Sequence, residues 1–161
     1  MVKILGIDPG FKATGYGCIE TDGWQAKLAE TGTIEPRQKD LMQNRLKKIY
    51  TILGDLIEEQ RPQILVLEKL YAHYKHPVTA SKMGHVRGVI CLLCAQKEIE
   101  LAEYSVKRIR KALTGNGNAS KAQTRGVVAG LLKVDESKLV FDASDALALA
   151  IGHARMQNKS I

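Results

Sequence analysis

Long apolar runs are missing from this 161-residue chain: none approaches the ~20 residues that a membrane-spanning helix requires. Val2 enters an apolar, strand-like run directly after the initiating methionine, which leaves no room for a signal peptide, so a cytoplasmic location is expected. Aromatic residues are scarce, at 5%, so a broad base-stacking platform is not indicated. Cysteine is limited to Cys18, Cys91 and Cys94. Cys91 and Cys94 form a C-x-x-C inside the apolar helical stretch Gly88-Val89-Ile90-Cys91-Leu92-Leu93-Cys94-Ala95, with no second ligand pair to close a zinc site. These two cysteines are expected to be small buried hydrophobes in a reducing compartment. The histidines His73, His76, His85 and His153 show no metal-ligand spacing, and none is assigned a catalytic role. Repeats, low-complexity segments and linkers are also absent, so residues 1–161 are expected to form one domain.

Positive charge is abundant. Lys and Arg number 24 against 17 Asp and Glu, for a net charge of +7 and a pI near 9.4. That excess suits a polyanionic partner such as nucleic acid, and equally suits a solvated basic surface.

Periodicity organises the chain. Val2 to Asp8, Gly15 to Glu20 and Trp24 to Ile34 read as three strands of an antiparallel meander, with a turn at Thr21-Asp22-Gly23. Leu41, Leu46, Ile49, Leu53, Leu56 and Ile57 recur at helical spacing, with Asp40 a candidate N-cap and Pro62 a stop. Gln63 to Glu68 is a continuous apolar run, as an interior parallel strand would have. A loop follows from Tyr71 to Pro77, then a helix from Thr79 to Lys97 and a short strand from Ile99 to Tyr104. Helices are expected over Ser105 to Leu113, Ser120 to Lys133 and Asp142 to Met156. The expected fold class is α/β: a five-stranded mixed sheet, three antiparallel strands then two parallel, with helices on both faces.

Two strands in this scheme end on an acid. If the strand closed by Asp8 runs parallel to its neighbour closed by Glu68, the two carboxylates face each other across about 5 Å at one sheet edge. Open sheets bind ligands at that edge. In Phe141-Asp142-Ala143-Ser144-Asp145-Ala146-Leu147-Ala148, Asp142 and Asp145 lie three apart and share one face of a helical first turn. Asp142 taken alone reads first as an N-cap, a role that leaves Asp145 unexplained. Four gathered carboxylates repel one another and raise each other's pKa values unless cations intervene. All-oxygen ligands suit Mg²⁺ or Mn²⁺, and two such ions about 3.5–4 Å apart are the apparatus of phosphodiester cleavage. Asp8, Glu68, Asp142 and Asp145 are therefore the candidate metal ligands.

The motifs I-L-G-I-D-P-G-x-x-x-T-G-Y-G at the start, Leu67-Glu68, Gly115-Asn116-Gly117-Asn118-Ala119-Ser120-Lys121 and Ala143-Ser144-Asp145-Ala146-Leu147-Ala148 together resemble the RuvC family of crossover-junction endodeoxyribonucleases. The similarity covers nearly the whole chain. It implies a ribonuclease H-like fold and a Mg²⁺-dependent homodimer that nicks four-way DNA junctions symmetrically, leaving 5′-phosphate and 3′-hydroxyl ends. Two ions per active site are implied, with Mn²⁺ a plausible substitute, and the branch-migration proteins RuvA and RuvB are possible partners. Asp8, Glu68, Asp142 and Asp145 fall on the family's catalytic acids, and Asp142 is the least fixed because some relatives carry histidine there. Lys121 falls on its active-site lysine and is both a catalytic and a DNA-binding candidate. Lys107, Arg108, Arg110 and Lys111 form a basic cluster, with Arg110 at a recognised DNA-contact position. Tyr71 stands where the family usually has a base-stacking aromatic, although the loop over residues 71–77 is one residue longer than in many members. The helix from Thr79 to Lys97 corresponds to the one the family uses at its two-fold interface.

Other readings start from the same residues. Gly-Ile-Asp-x-Gly after a strand also opens actin-like sugar kinases and chaperone ATPases, but these need a second phosphate loop for which 161 residues leave little space. A junction-binding protein without catalysis, or a ribonuclease H-like nuclease acting on RNA or other branched DNA, is the remaining alternative.

Overall fold

The computed structural model describes residues 1–70 and 76–158. In chain order the elements are β1 (Val2–Asp8), β2 (Thr14–Thr21), β3 (Ala26–Ile34), α1 (Met42–Gln60), β4 (Ile64–Glu68), α2 (Pro77–Gln96), β5 (Glu100–Tyr104), α3 (Val106–Thr114), α4 (Lys121–Leu132), a 3-10 turn (Glu136–Lys138) and α5 (Phe141–Asn158). The sheet order is β3-β2-β1-β4-β5. β1, β2 and β3 pair antiparallel, while β4 runs parallel to both β1 and β5, as the apolar runs foretold.

Pleating divides the core in two. Leu5, Ile7, Leu65 and Leu67 point to the face covered by α1 and α2, where they meet Ile49, Leu53, Val86, Ile90 and Leu93. Ile4 and Val66 point the other way, into a cluster with Ile109 of α3, Val128 of α4 and Leu147, Ala150 and Ile151 of α5. Gly6 shares that second face, and its missing side chain lets α5 rest directly on β1. A Cβ on Gly6 would meet the Ala146 carbonyl oxygen at 1.9 Å, one on Gly15 would meet the Asp142 carbonyl oxygen at 2.0 Å, and one on Gly17 would meet the Leu147 side chain at 2.5 Å. Ala143, Ala146 and Ala150 are the complementary small residues on the buried helix.

Several local expectations are corrected. Trp24 lies outside β3 and is 85% exposed, because the Asp22 carboxylate accepts from the Trp24 and Gln25 amides and holds the chain in a turn. Asp40 does not cap α1; its carboxylate accepts instead from the Arg37 amide, and Leu41 occupies the cap position, exposed rather than in the core. Arg45 takes a buried place on that helix. Cys18 and Cys94 are buried, but Cys91 is exposed, since α2 turns that side away from the sheet. His153 is buried with Nδ1 2.9 Å from the Tyr104 hydroxyl, a packing role.

Candidate active site

The register of the sheet builds the site. β1 and β4 pair as far as Ile7 opposite Leu67, so Asp8 and Glu68 are the next residues on adjacent strands. Asp8 has the parity of Ile4 and Gly6, and Glu68 that of Ile64 and Val66, so both carboxylates rise on the face covered by α5. The chain must then reverse at once. Pro9-Gly10 does this, with the Thr14 hydroxyl donating to the Gly10 carbonyl at 3.3 Å; a Cβ on Gly10 would strike the Ala13 oxygen at 2.0 Å.

α5 brings the third acid. Its close seat on Gly6 and Gly15 lowers its first turn onto the end of β1, and Asp145 reaches the space above Asp8. The fourth cluster member, Lys121, is the first residue of α4. Ser120 caps that helix in a capping box with Gln123, which fixes where the helix starts and hence where Lys121 points. Lys121 Nζ donates to Asp145 Oδ2 at 2.9 Å.

Asp8, Glu68, Asp145, Lys121 and Arg110 line one cavity of about 210 Å³, floored by Val106, Ile109, Thr124, Ala148 and Leu149. Its electrostatics are those of crowded acids. Burial, then Asp145, then Glu68 push the Asp8 carboxyl up to about 7, with Lys121 opposing. Glu68 is raised by burial first and Asp145 next, opposed by Lys121, Arg110 and Arg87. The Lys121 ammonium is held above its ordinary value chiefly by its hydrogen bond to Asp145. A hard divalent cation would relieve this repulsion, and the donor set of carboxylate oxygens fits one. Among the described residues, the acids are not drawn into a closed ligand cluster of three; Asp145 is engaged by Lys121 instead.

Asp142 sits beside the site, close enough for its charge to act on Asp8 and Lys121. It does not line the cavity. Neither is it the N-cap that its position first suggested: α5 begins at Phe141, and Asp142 lies inside the first turn. Of the basic residues expected on α3, only Arg110 faces the cavity. Lys107, Arg108 and Lys111 are exposed on other sides of the helix, with Arg108 leaning on the Tyr104 ring at 5.2 Å. Gly115 serves as the left-handed C-cap of α3, at φ 80°. Tyr71 lies outside the described residues.

Arg87 escaped the sequence reading. From α2 it donates to the Glu68 carbonyl oxygen and pairs with the Glu103 carboxylate, tying the ends of β4 and β5 together beneath the cavity. Its only sequence signal is that it is the single arginine of the α2 stretch.

Comparison with known proteins gives a consistent picture. Residues 4–153 match the family described as crossover junction endodeoxyribonuclease RuvC. The RuvC of Halorhodospira halophila is 43% identical over 155 residues, covering 96% of this chain and 90% of that protein. The RuvC of Petrotoga mobilis is 41% identical, covering 96% and 94%. Among solved structures, Thermus thermophilus RuvC in complex with Holliday junction substrate superposes with a TM-score of 0.88 at 21% identity, covering 99% of this chain and 96% of that one. The yeast mitochondrial Holliday junction resolvase Ydc2 superposes at 0.73 and 15% identity, covering 98% and 80%. Both likenesses bear on the fold, which is the ribonuclease H-like fold that the resemblance to the RuvC family implied. With strand-end acids, cavity and full-length relatives in agreement, the chain belongs to the RuvC family of crossover junction endodeoxyribonucleases.

Proposed function

We propose that this protein resolves four-way DNA junctions by hydrolysing one phosphodiester in each of two opposing strands, leaving 5′-phosphate and 3′-hydroxyl ends. The observation that carries this reading is the convergence of Asp8, Glu68 and Asp145 with Lys121 and Arg110 around one cavity at the carboxyl edge of the sheet. Asp8, Glu68, Asp142 and Asp145 would hold two Mg²⁺ ions, with Asp142 reaching them from outside the lining of the cavity. When bound, such ions supply charge that acidifies an attacking water and stabilises the departing oxygen.

The chain's own residues do the rest. Arg110 and Lys121 present cationic N–H groups to the scissile phosphate, orienting it and balancing charge that grows as the phosphorus is attacked. Lys121 also restrains Asp145, so one side chain links phosphate position to carboxylate position. Lys107, Arg108 and Lys111, exposed along α3, extend a basic track for the flanking DNA.

The protein acts as a homodimer in this reading, with α2 against its symmetry mate. In support, α2 exposes Val78 and Leu92, and Gly84 and Gly88 have open space where a side chain would stand. RuvA and RuvB are the expected assembly partners of such a dimer.

The deciding experiment incubates the protein with four-way and linear DNA of matched sequence, with and without Mg²⁺, and maps the nicks. Symmetric paired nicks confined to the junction and dependent on the cation are expected. Equal cutting of linear DNA, or cutting unaffected by chelation, would refute the assignment.

A further inference from the structure

Arg45 on α1 is only 5% exposed, yet among the described residues no carboxylate meets it. Its Nε is enclosed without an acceptor. Its guanidinium carbon lies 4.3 Å from the centroid of the Phe11 ring, and Lys82 Nζ, from α2, lies 4.5 Å from the same centroid. Lys82 likewise has no carboxylate partner among the described residues. Two cations thus converge on one aromatic ring, and among the described residues no carboxylate neutralises them.

For folding alone this arrangement is a poor choice. A ring face attracts a cation but accepts no N–H in the manner of an oxygen. Burying a guanidinium Nε without an acceptor is costly, and two like charges at one ring add repulsion. An apolar side chain on α1 would pack against Phe11 without either cost. The pair therefore suits an anion arriving from outside.

Its location names that anion. Phe11 follows Asp8 by three positions, in the reversal held by Thr14 and Gly10. Arg45 and Lys82 accordingly stand at the carboxyl edge of the sheet on the α1–α2 face, while Arg110 and Lys121 stand on the α3–α5 face. A nucleic-acid strand crossing that edge passes from one cation pair to the other.

We propose that Arg45 and Lys82, ordered on Phe11, form a second phosphate-binding subsite that grips a phosphodiester flanking the one in the cavity. This rests on the junction-resolving reading above. The subsite contributes to substrate binding and register and takes no part in bond cleavage.

The test measures four-way junction binding over a series of salt concentrations in chelator, alongside thermal melting, for the wild type, Arg45→Met and Lys82→Gln. Each variant is expected to bind several-fold more weakly, with the slope of log affinity against log salt shallower by about 1. Arg45→Met, which keeps the packing on Phe11 and removes an unpartnered charge, is expected to melt at or above the wild-type temperature. Wild-type slopes in both variants overturn the subsite. So does a lower melting temperature for Arg45→Met with an unchanged slope, which would make Arg45 a pin for the turn. Lys82→Gln, on a half-buried side chain, keeps the test decisive should Arg45→Met fail to fold. A wild type that does not bind junctions at all would instead remove the parent reading.

Discussion

Gly6 of β1 lies so close beneath α5 that a methyl group on it would stand 1.9 Å from the carbonyl oxygen of Ala146. No side-chain rearrangement relieves a clash with backbone, so the helix would have to lift. Gly6→Ala should destabilise the fold by at least the ~1–3 kcal/mol typical of overpacking. It should also carry Asp145 away from Asp8, so junction cleavage falls further than folded fraction. Thermal melting and single-turnover nicking measure the two effects, and a variant with wild-type melting and rate would show that the helix seat is not needed.

Asp8 supplies a pH dependence. Its carboxyl is pushed up to about 7 in the folded protein from an ordinary 3.8. Between those values the folded chain keeps a proton that the unfolded chain has released. Asp8's contribution to the stability of the metal-free protein therefore falls as pH rises across that window, by an amount on the order of a few kcal/mol, and levels off above it. A divalent cation competes with the same proton, so stabilisation by Mg²⁺ should grow across the same window. Melting curves in chelator and in Mg²⁺ test both halves; a flat chelator series would contradict the crowding of acids at Asp8.

Replacing Asp8 by asparagine removes that charge while keeping its shape. Cleavage should be abolished, junction binding in chelator retained, and the metal-free melting temperature raised at a pH above 7. Nicking at the wild-type rate would take Asp8 out of the chemistry.

Lys121→Met removes the cation that is hydrogen-bonded to Asp145. The rate at saturating junction should drop by about 10²–10³, the usual cost of deleting one charge-stabilising donor. Junction affinity should change much less, because the other basic residues remain. A loss confined to affinity would make Lys121 an ordinary phosphate contact.

The elements that emerged directly from the residues are those governed by local order. The apolar run Leu65-Val66-Leu67 announced an interior parallel strand, and the acid closing it announced a site beside Asp8, because strand parity and register leave few alternatives. Helix starts were read less well. Asp40 looked like a cap, yet its carboxylate found the Arg37 amide, a choice between two nearby backbone donors that composition does not rank. Asp142 looked like the cap of α5, and the helix instead begins at Phe141, with Asp142 inside its first turn.

Sequence order alone established the strand-end acids, the alternation that turns them to one face, and the basic excess that suits DNA, because these depend on neighbours along the chain. Whether Asp142 or Asp145 enters the cavity, whether Arg110 or Lys107 faces it, and whether Arg45 finds a counter-charge were decided by how close α5, α3 and α1 come to the sheet. Those distances are set by the side chains missing at Gly6 and Gly15 and by packing between residues far apart in the chain, and no local pattern encodes them.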